Sequence, residues 1–119
     1  MKIKFNKDMS MDHLNEDQKK IAMAILEGAT KIMGSDYKLS GGGCKAFYTP
    51  EECEDRRETY GLQSELVIVH DGGDLAPCFN HDYMSWDHME AVQDALFEIG
   101  YFAEQCTSWY TAIYRLSAA

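Results

Sequence analysis

No lysine or arginine stands between Arg57 and Arg115, while the same stretch carries Glu58, Glu65, Asp71, Asp74, Asp82, Asp87, Glu90, Asp94, Glu98 and Glu104. Before it the charges nearly cancel. Residues 1–59 hold ten basic and eleven acidic side chains, so almost all of the net charge of −9 belongs to the second half. A field of one sign repels phosphate backbones and anionic lipid surfaces and raises the encounter rate with a basic surface, an effect that salt weakens. The missing cations therefore count against direct DNA or RNA binding, whose affinity comes mainly from Lys and Arg contacts to phosphate.

Other absences narrow the field further. No apolar run approaches the roughly 20 residues needed to cross a bilayer, and Met1 to Ser10 is polar rather than signal-like, so a soluble protein of the host-cell cytoplasm is expected. Cysteine pairs at short spacing are missing too. In a reducing compartment Cys44, Cys53, Cys78 and Cys106 are expected as free thiols. Zinc needs about four N or S ligands, and the chain offers Cys78, His81 and the more distant His88, with Cys44 and Cys53 elsewhere; no metal or cofactor is expected on this spacing. Gly41 to Gly43 is not followed by the Lys-Ser/Thr pair of a P-loop, which counts against nucleotide hydrolysis. Cys44 with His70 as base would need an electropositive setting to form a thiolate, and acidic surroundings raise a thiol pKa instead.

What is present specifies a folded chain. The 119 residues suit a single globular domain spanning 1–119, and seven Tyr, five Phe and two Trp supply a core, so the acidity does not imply disorder. Asn15 with Gln18 three places on, and Gly34 beyond, bracket a first helix. Its stripe of Leu14, Ile21, Ile25, Leu26, Ala29, Ile32 and Met33 recurs at three and four. Tyr37 to Tyr48 reads as extended around the glycines. Thr49, Pro50 and Glu52 start a short polar helix lying over the sheet. Leu66 to Val69 is a strand covered on both faces, Asp71 to Asp74 is a turn, and Leu75 to Phe79 is expected to return as an edge strand, because Pro77 cannot donate to a ladder. A last helix runs from near Ser85 to before Gly100, and Tyr101 to Leu116 forms one strand or a hairpin turning near Thr107 and Ser108. The elements predict an α+β fold with helices on one face of a mainly antiparallel sheet.

The last helix gives the charge a geometry. At about 100° per residue Asp87, Glu90, Asp94 and Glu98 share an arc of roughly 80°, with Met89, Val92, Leu96 and Ile99 opposite. The ridge is ~16 Å long, and its like-charge pairs at spacing four cost about 0.2–0.5 kcal/mol each. Trp86 and Phe97 project beside it, the composition of an interface hot spot. The alternative is an ordinary solvated face with both aromatics reaching the core edge. A second constellation is His70, Asp71 and Asp74, displayed on a glycine turn at a strand end, where acid–base or metal-binding groups often stand. The same Asp and Gly residues also serve a tight turn on their own account.

With its acidic, aromatic-rich single domain and segments such as HDGGDLAPCFN (residues 70–80) and SWYTAIYRL (residues 108–116), the chain resembles the small anti-defence accessory proteins of phages and mobile elements, including anti-CRISPR proteins. The resemblance implies a stoichiometric inhibitor whose acidic surface occupies the basic nucleic-acid channel of its target; it assigns no residue a role. Three functions follow as expectations. The first is a non-enzymatic protein docking on a basic, nucleic-acid-handling partner through Asp87, Glu90, Asp94, Glu98, Trp86 and Phe97, with Asp71 and Asp74 extending the acidic surface. The second is a small enzyme or ligand-binding domain, with or without a metal, centred on His70, Asp71 and Asp74. The third is an oligomeric structural or regulatory protein, such as a homodimer, joined through Trp109, Tyr110 and Tyr114, the alternative being that alternate members of these aromatics fill the core.

Overall fold

A computed structural model describes residues 3–116. Strand β1 (Lys4–Phe5) leads through a 3-10 turn into helix α1 (Glu16–Met33), followed by β2 (Lys38–Leu39), β3 (Phe47–Tyr48), α2 (Pro50–Asp55) and β4 (Leu66–Val69). Helix α3 (Ala76–Phe79), a second 3-10 turn, α4 (Trp86–Glu98), β5 (Tyr101–Gln105) and β6 (Tyr110–Arg115) complete the order. Four strands form an antiparallel sheet in the order β3-β4-β6-β5, while β1 and β2 pair in parallel as a separate two-stranded sheet. The fold is α+β, as the sequence predicts.

Local chemistry starts the helices where expected. Asn15 and Gln18 close a reciprocal capping box on α1, at 2.8 and 3.0 Å, and Gly34 ends the helix at φ +98. Thr49 and Glu52 do the same for α2, with Pro50 in its first turn. The sheet alternation then sorts two cores. Leu66 and Ile68 of β4 and Ile113 of β6 join Ile21, Ile25 and Leu26 of α1 and Val92 and Leu96 of α4 in the main core. Val67 and Tyr110, from the other face, join Cys53 of α2 in a smaller one. Burying each large aliphatic side chain contributes roughly 1.5–3 kcal/mol.

Three expectations change. Leu75 to Phe79 does not return as a strand. Its place beside β4 is taken by β3 and β6, and Ala76–Phe79 coils into a helical turn that buries Leu75, Ala76, Cys78 and Phe79 together. Pro77 fits that first turn because its missing N–H has no intrahelical partner there. Only the two ends of Tyr37 to Tyr48 are strands, since Gly42 and Gly43 adopt φ of +72 and +87. Ile32 and Ile99, assigned to buried faces, are 38% and 43% exposed; α4 stops at Glu98, so Ile99 leaves the helical face and lies near Met23 and Ala24 of α1.

Helices α1 and α4 cross so closely that a Cβ on Gly28 would stand 2.8 Å from both Ala91 O and Val92 Cα. Gly28→Ala gains about 1 kcal/mol of helix propensity, but forcing backbones apart costs about 1–3 kcal/mol. A net loss of about 1 kcal/mol is expected in guanidinium unfolding; a raised midpoint would show that the helices separate freely.

Candidate protein-binding surface

Helix α4 is held by packing more than by its own ends. Ser85 makes no side-chain cap bond, no basic residue occupies the last turn, and Glu98 sits at the negative end of the helix dipole. Packing of Val92, Ala95 and Leu96 holds the helix, and Asp87, Glu90, Asp94 and Glu98 are all exposed on its other side. His88 Nδ1 lies 3.1 Å from Asp87 Oδ1, and its hydrogen bonds hold the Asp87 carboxyl below the usual range. Two of the preceding cations, Arg56 and Lys45, are engaged elsewhere. Arg56 lies over the Tyr48 ring and donates to its hydroxyl at 2.8 Å, and Lys45 pairs with Glu52; this cluster belongs to the α2 end of the sheet.

Trp86 and Phe97 do not reach the core edge: they are 58% and 47% exposed. Beside Trp86 the fold adds two residues that the sequence reading missed, Tyr83 and Met84, 53% and 67% exposed. A compact anchor holds this apolar shoulder. Asn80 accepts from Asp82 N–H at 3.0 Å and donates to Ser108 O at 3.1 Å, Gln105 accepts from His81 N–H at 3.0 Å, and Met84 turns the chain at φ +55. The His81 ring meets Trp86 edge-on, 6.3 Å between centroids. The signal in the sequence was the cluster Tyr83, Met84, Trp86 in the break before a helix, three large apolar residues where turn residues are usual.

His70, Asp71 and Asp74 separate into three roles. His70 is 1% exposed; Nε2 lies 3.0 Å from Thr111 Oγ1, the ring stacks on Phe79, and Nδ1 has no partner. Burial pulls its pKa down to about 4, against an opposing pull from Asp71. Asp74 is a structural brace, accepting from Ser40 N–H at 2.8 Å and from the Tyr37 hydroxyl at 3.0 Å. Asp71 is exposed and extends the acidic surface.

Among the described residues no group of three or more His, Cys, Asp or Glu side chains is placed to hold a metal ion. All four cysteines are free; burial pushes Cys53 up to about 11 and Cys78 up to about 12, which keeps them as thiols. Of the last-strand aromatics, Tyr110 is 2% exposed and bonds Tyr60 through its hydroxyl, Trp109 packs on Tyr110 at 4.5 Å, and Tyr114 stacks on Phe102 at 5.7 Å. Tyr110 is therefore core, while Trp109 and Tyr114 remain partly accessible. Among the described residues no helix is long and apolar enough to cross a membrane. No protein-family model matches the chain, and neither the curated proteins nor the solved structures return a match, so the functional reading rests on the surface itself.

Proposed function

We propose that this chain is a non-enzymatic binding protein that docks through α4 on the basic surface of a nucleic-acid-handling partner in the host cytoplasm, in the manner of a CRISPR-type defence inhibitor. The observation that carries the proposal is the exposure of Trp86 and Phe97 beside four carboxylates, none of which forms an ion pair with a lysine or arginine among the described residues. Aromatic anchors supply the desolvated centre of an interface, and the acids steer the encounter and set the register. Tyr83 and Met84 enlarge the apolar part, and Asp71 lengthens the acidic part.

Purified protein should capture one basic partner from host lysate in a salt-sensitive manner. Reversing Asp87, Glu90 and Asp94 together to lysine is expected to weaken that complex at least tenfold and flatten its salt dependence. Trp86→Ala is expected to weaken it about 30-fold, the scale of a hot-spot truncation. Unchanged affinity in the triple variant would remove the ridge from the interface.

A further inference from the structure

Strand β5 lies at an edge of the four-stranded sheet. Leu116 N–H donates to Gly100 O and Cys106 N–H to Tyr110 O, which fixes the parity of the ladder. The even residues of β5 therefore bond β6, and the backbone groups of Tyr101, Ala103 and Gln105 point away from it. Among the described residues one side chain answers them. Gln93 of α4 accepts from Ala103 N–H through Oε1 at 2.7 Å and donates through Nε2 to Ala103 O at 3.2 Å.

A primary amide carries the same donor and acceptor as a peptide group, so Gln93 stands where one residue of an added strand would stand. An open groove of about 450 Å³ follows the same edge, bounded by His81, Gln93, Ala103, Glu104 and Gln105. Around α4, Gln93 falls within about 40° of Trp86 and Phe97, with Glu90 and Asp94 next in turn. Edge, aromatics and acids thus form one continuous surface.

We propose that this edge receives an extended, lysine- or arginine-bearing segment of the partner, paired to β5, with Gln93 as the placeholder it displaces. The proposal rests on the docking of a basic partner on α4 and names how that partner is held. Backbone bonds to Ala103 and its outward neighbours provide affinity, and alternate side chains provide selectivity. Successive side chains of the segment face opposite sides of the sheet, so cations on one side pass Glu104 of β5 and those on the other side pass α4, where Glu90 and Asp94 follow Gln93 around the helix; an acidic segment is repelled on both sides. Until the segment arrives, Gln93 keeps the exposed edge from pairing with unsuitable strands.

The test follows the backbone amides and side-chain amides of the full chain by NMR during titration with a nine-residue peptide of alternating lysine and valine. Its glutamate–valine counterpart and a lysine peptide N-methylated along one edge serve as controls. The lysine peptide should shift Ala103 N–H and the Gln93 side-chain amide, N-methylation of the pairing edge should weaken it at least tenfold, and the glutamate peptide should not bind. Gln93→Ala, by removing the competitor, should tighten the lysine peptide about threefold or more. Absence of binding, indifference to N-methylation, or shifts that spare Ala103 would overturn the proposal, as would a Gln93→Ala chain that pairs with itself and so gives the edge to a second copy. Shifts confined to the ridge would leave the docking of a basic partner standing, whereas failure of the charge-reversed ridge on the intact partner would remove that docking.

Discussion

Gly42→Ala is expected to cost about 3 kcal/mol or more of folding stability, a large share of what a domain of this size has to lose. Gly42 adopts φ +72, and a Cβ there would stand 2.1 Å from Gly72 O and 2.6 Å from the Gly72 carbonyl carbon. The obstacle is backbone, so no side chain can rotate out of its way. The approach is mutual: a Cβ on Gly73 would meet Gly41 O at 2.9 Å. Left-handed backbone costs an alanine about 1–2 kcal/mol, and the overlap adds about 1–3 kcal/mol. Gly43 provides the control, because at φ +87 its Cβ position is open. Gly43→Ala carries the conformational cost alone, and the two variants should differ by about 2 kcal/mol in unfolding free energy, read as a shift in guanidinium midpoint at equal slope. Equal midpoints would mean that the two glycine loops do not touch.

The second large effect is acid sensitivity at His70. Its folded pKa of about 4 lies below the model-peptide value of 6.5, so between these values the unfolded chain holds the extra proton. Stability from this site is therefore fully present above pH 6.5 and lost as pH falls toward 4. Lowering pH from 7 to 5 should remove about 2 kcal/mol through His70. His70→Gln removes that linkage and leaves the other ionisable residues of the chain in place. The stability gap between wild type and His70→Gln should consequently shrink by about 2 kcal/mol over the same interval. Parallel pH curves would show that the imidazole reaches water or an undetected partner in the folded state.

Much of the fold was legible because its signals are local. The Asn15–Gln18 and Thr49–Glu52 boxes, the glycine after α1, and the β-branched run of β4 act within a few residues, and the structure keeps them. Pro77 was ambiguous for a physical reason: the same lack of an N–H suits a sheet edge and a helix first turn. Burial of all of Leu75, Ala76, Cys78 and Phe79 decided between them, and burial depends on what lies across the core. Strands β1 and β2, two residues each, are too short to carry a period.

The surface was legible in part for the same reason. Helical geometry places four acids on one ridge without further information, but the exposure of Trp86 and Phe97 depends on where α1 packs. Asp71 and Asp74 are the same residue type on one turn, and only Tyr37 and Ser40, more than 30 positions earlier, separate brace from surface charge. Gln93 carries no sequence mark at all; its role arises from the path of α4 past the edge of β5.

The strand order also governs the route to this fold. Helices α1 and α4 and the β5–β6 hairpin rest on local contacts and form on a timescale of microseconds or less to about ten microseconds. The central ladder is different, since Leu66 meets Ile113 only after everything between them has been arranged. Closing so long a loop against chain entropy makes the β4–β6 step slow. While it waits, Leu66–Val69 is an apolar strand with its β6 side unpaired, open to the same strand of another chain. The yield of folded protein is thus sensitive to concentration during folding, although the finished molecule presents no such strand.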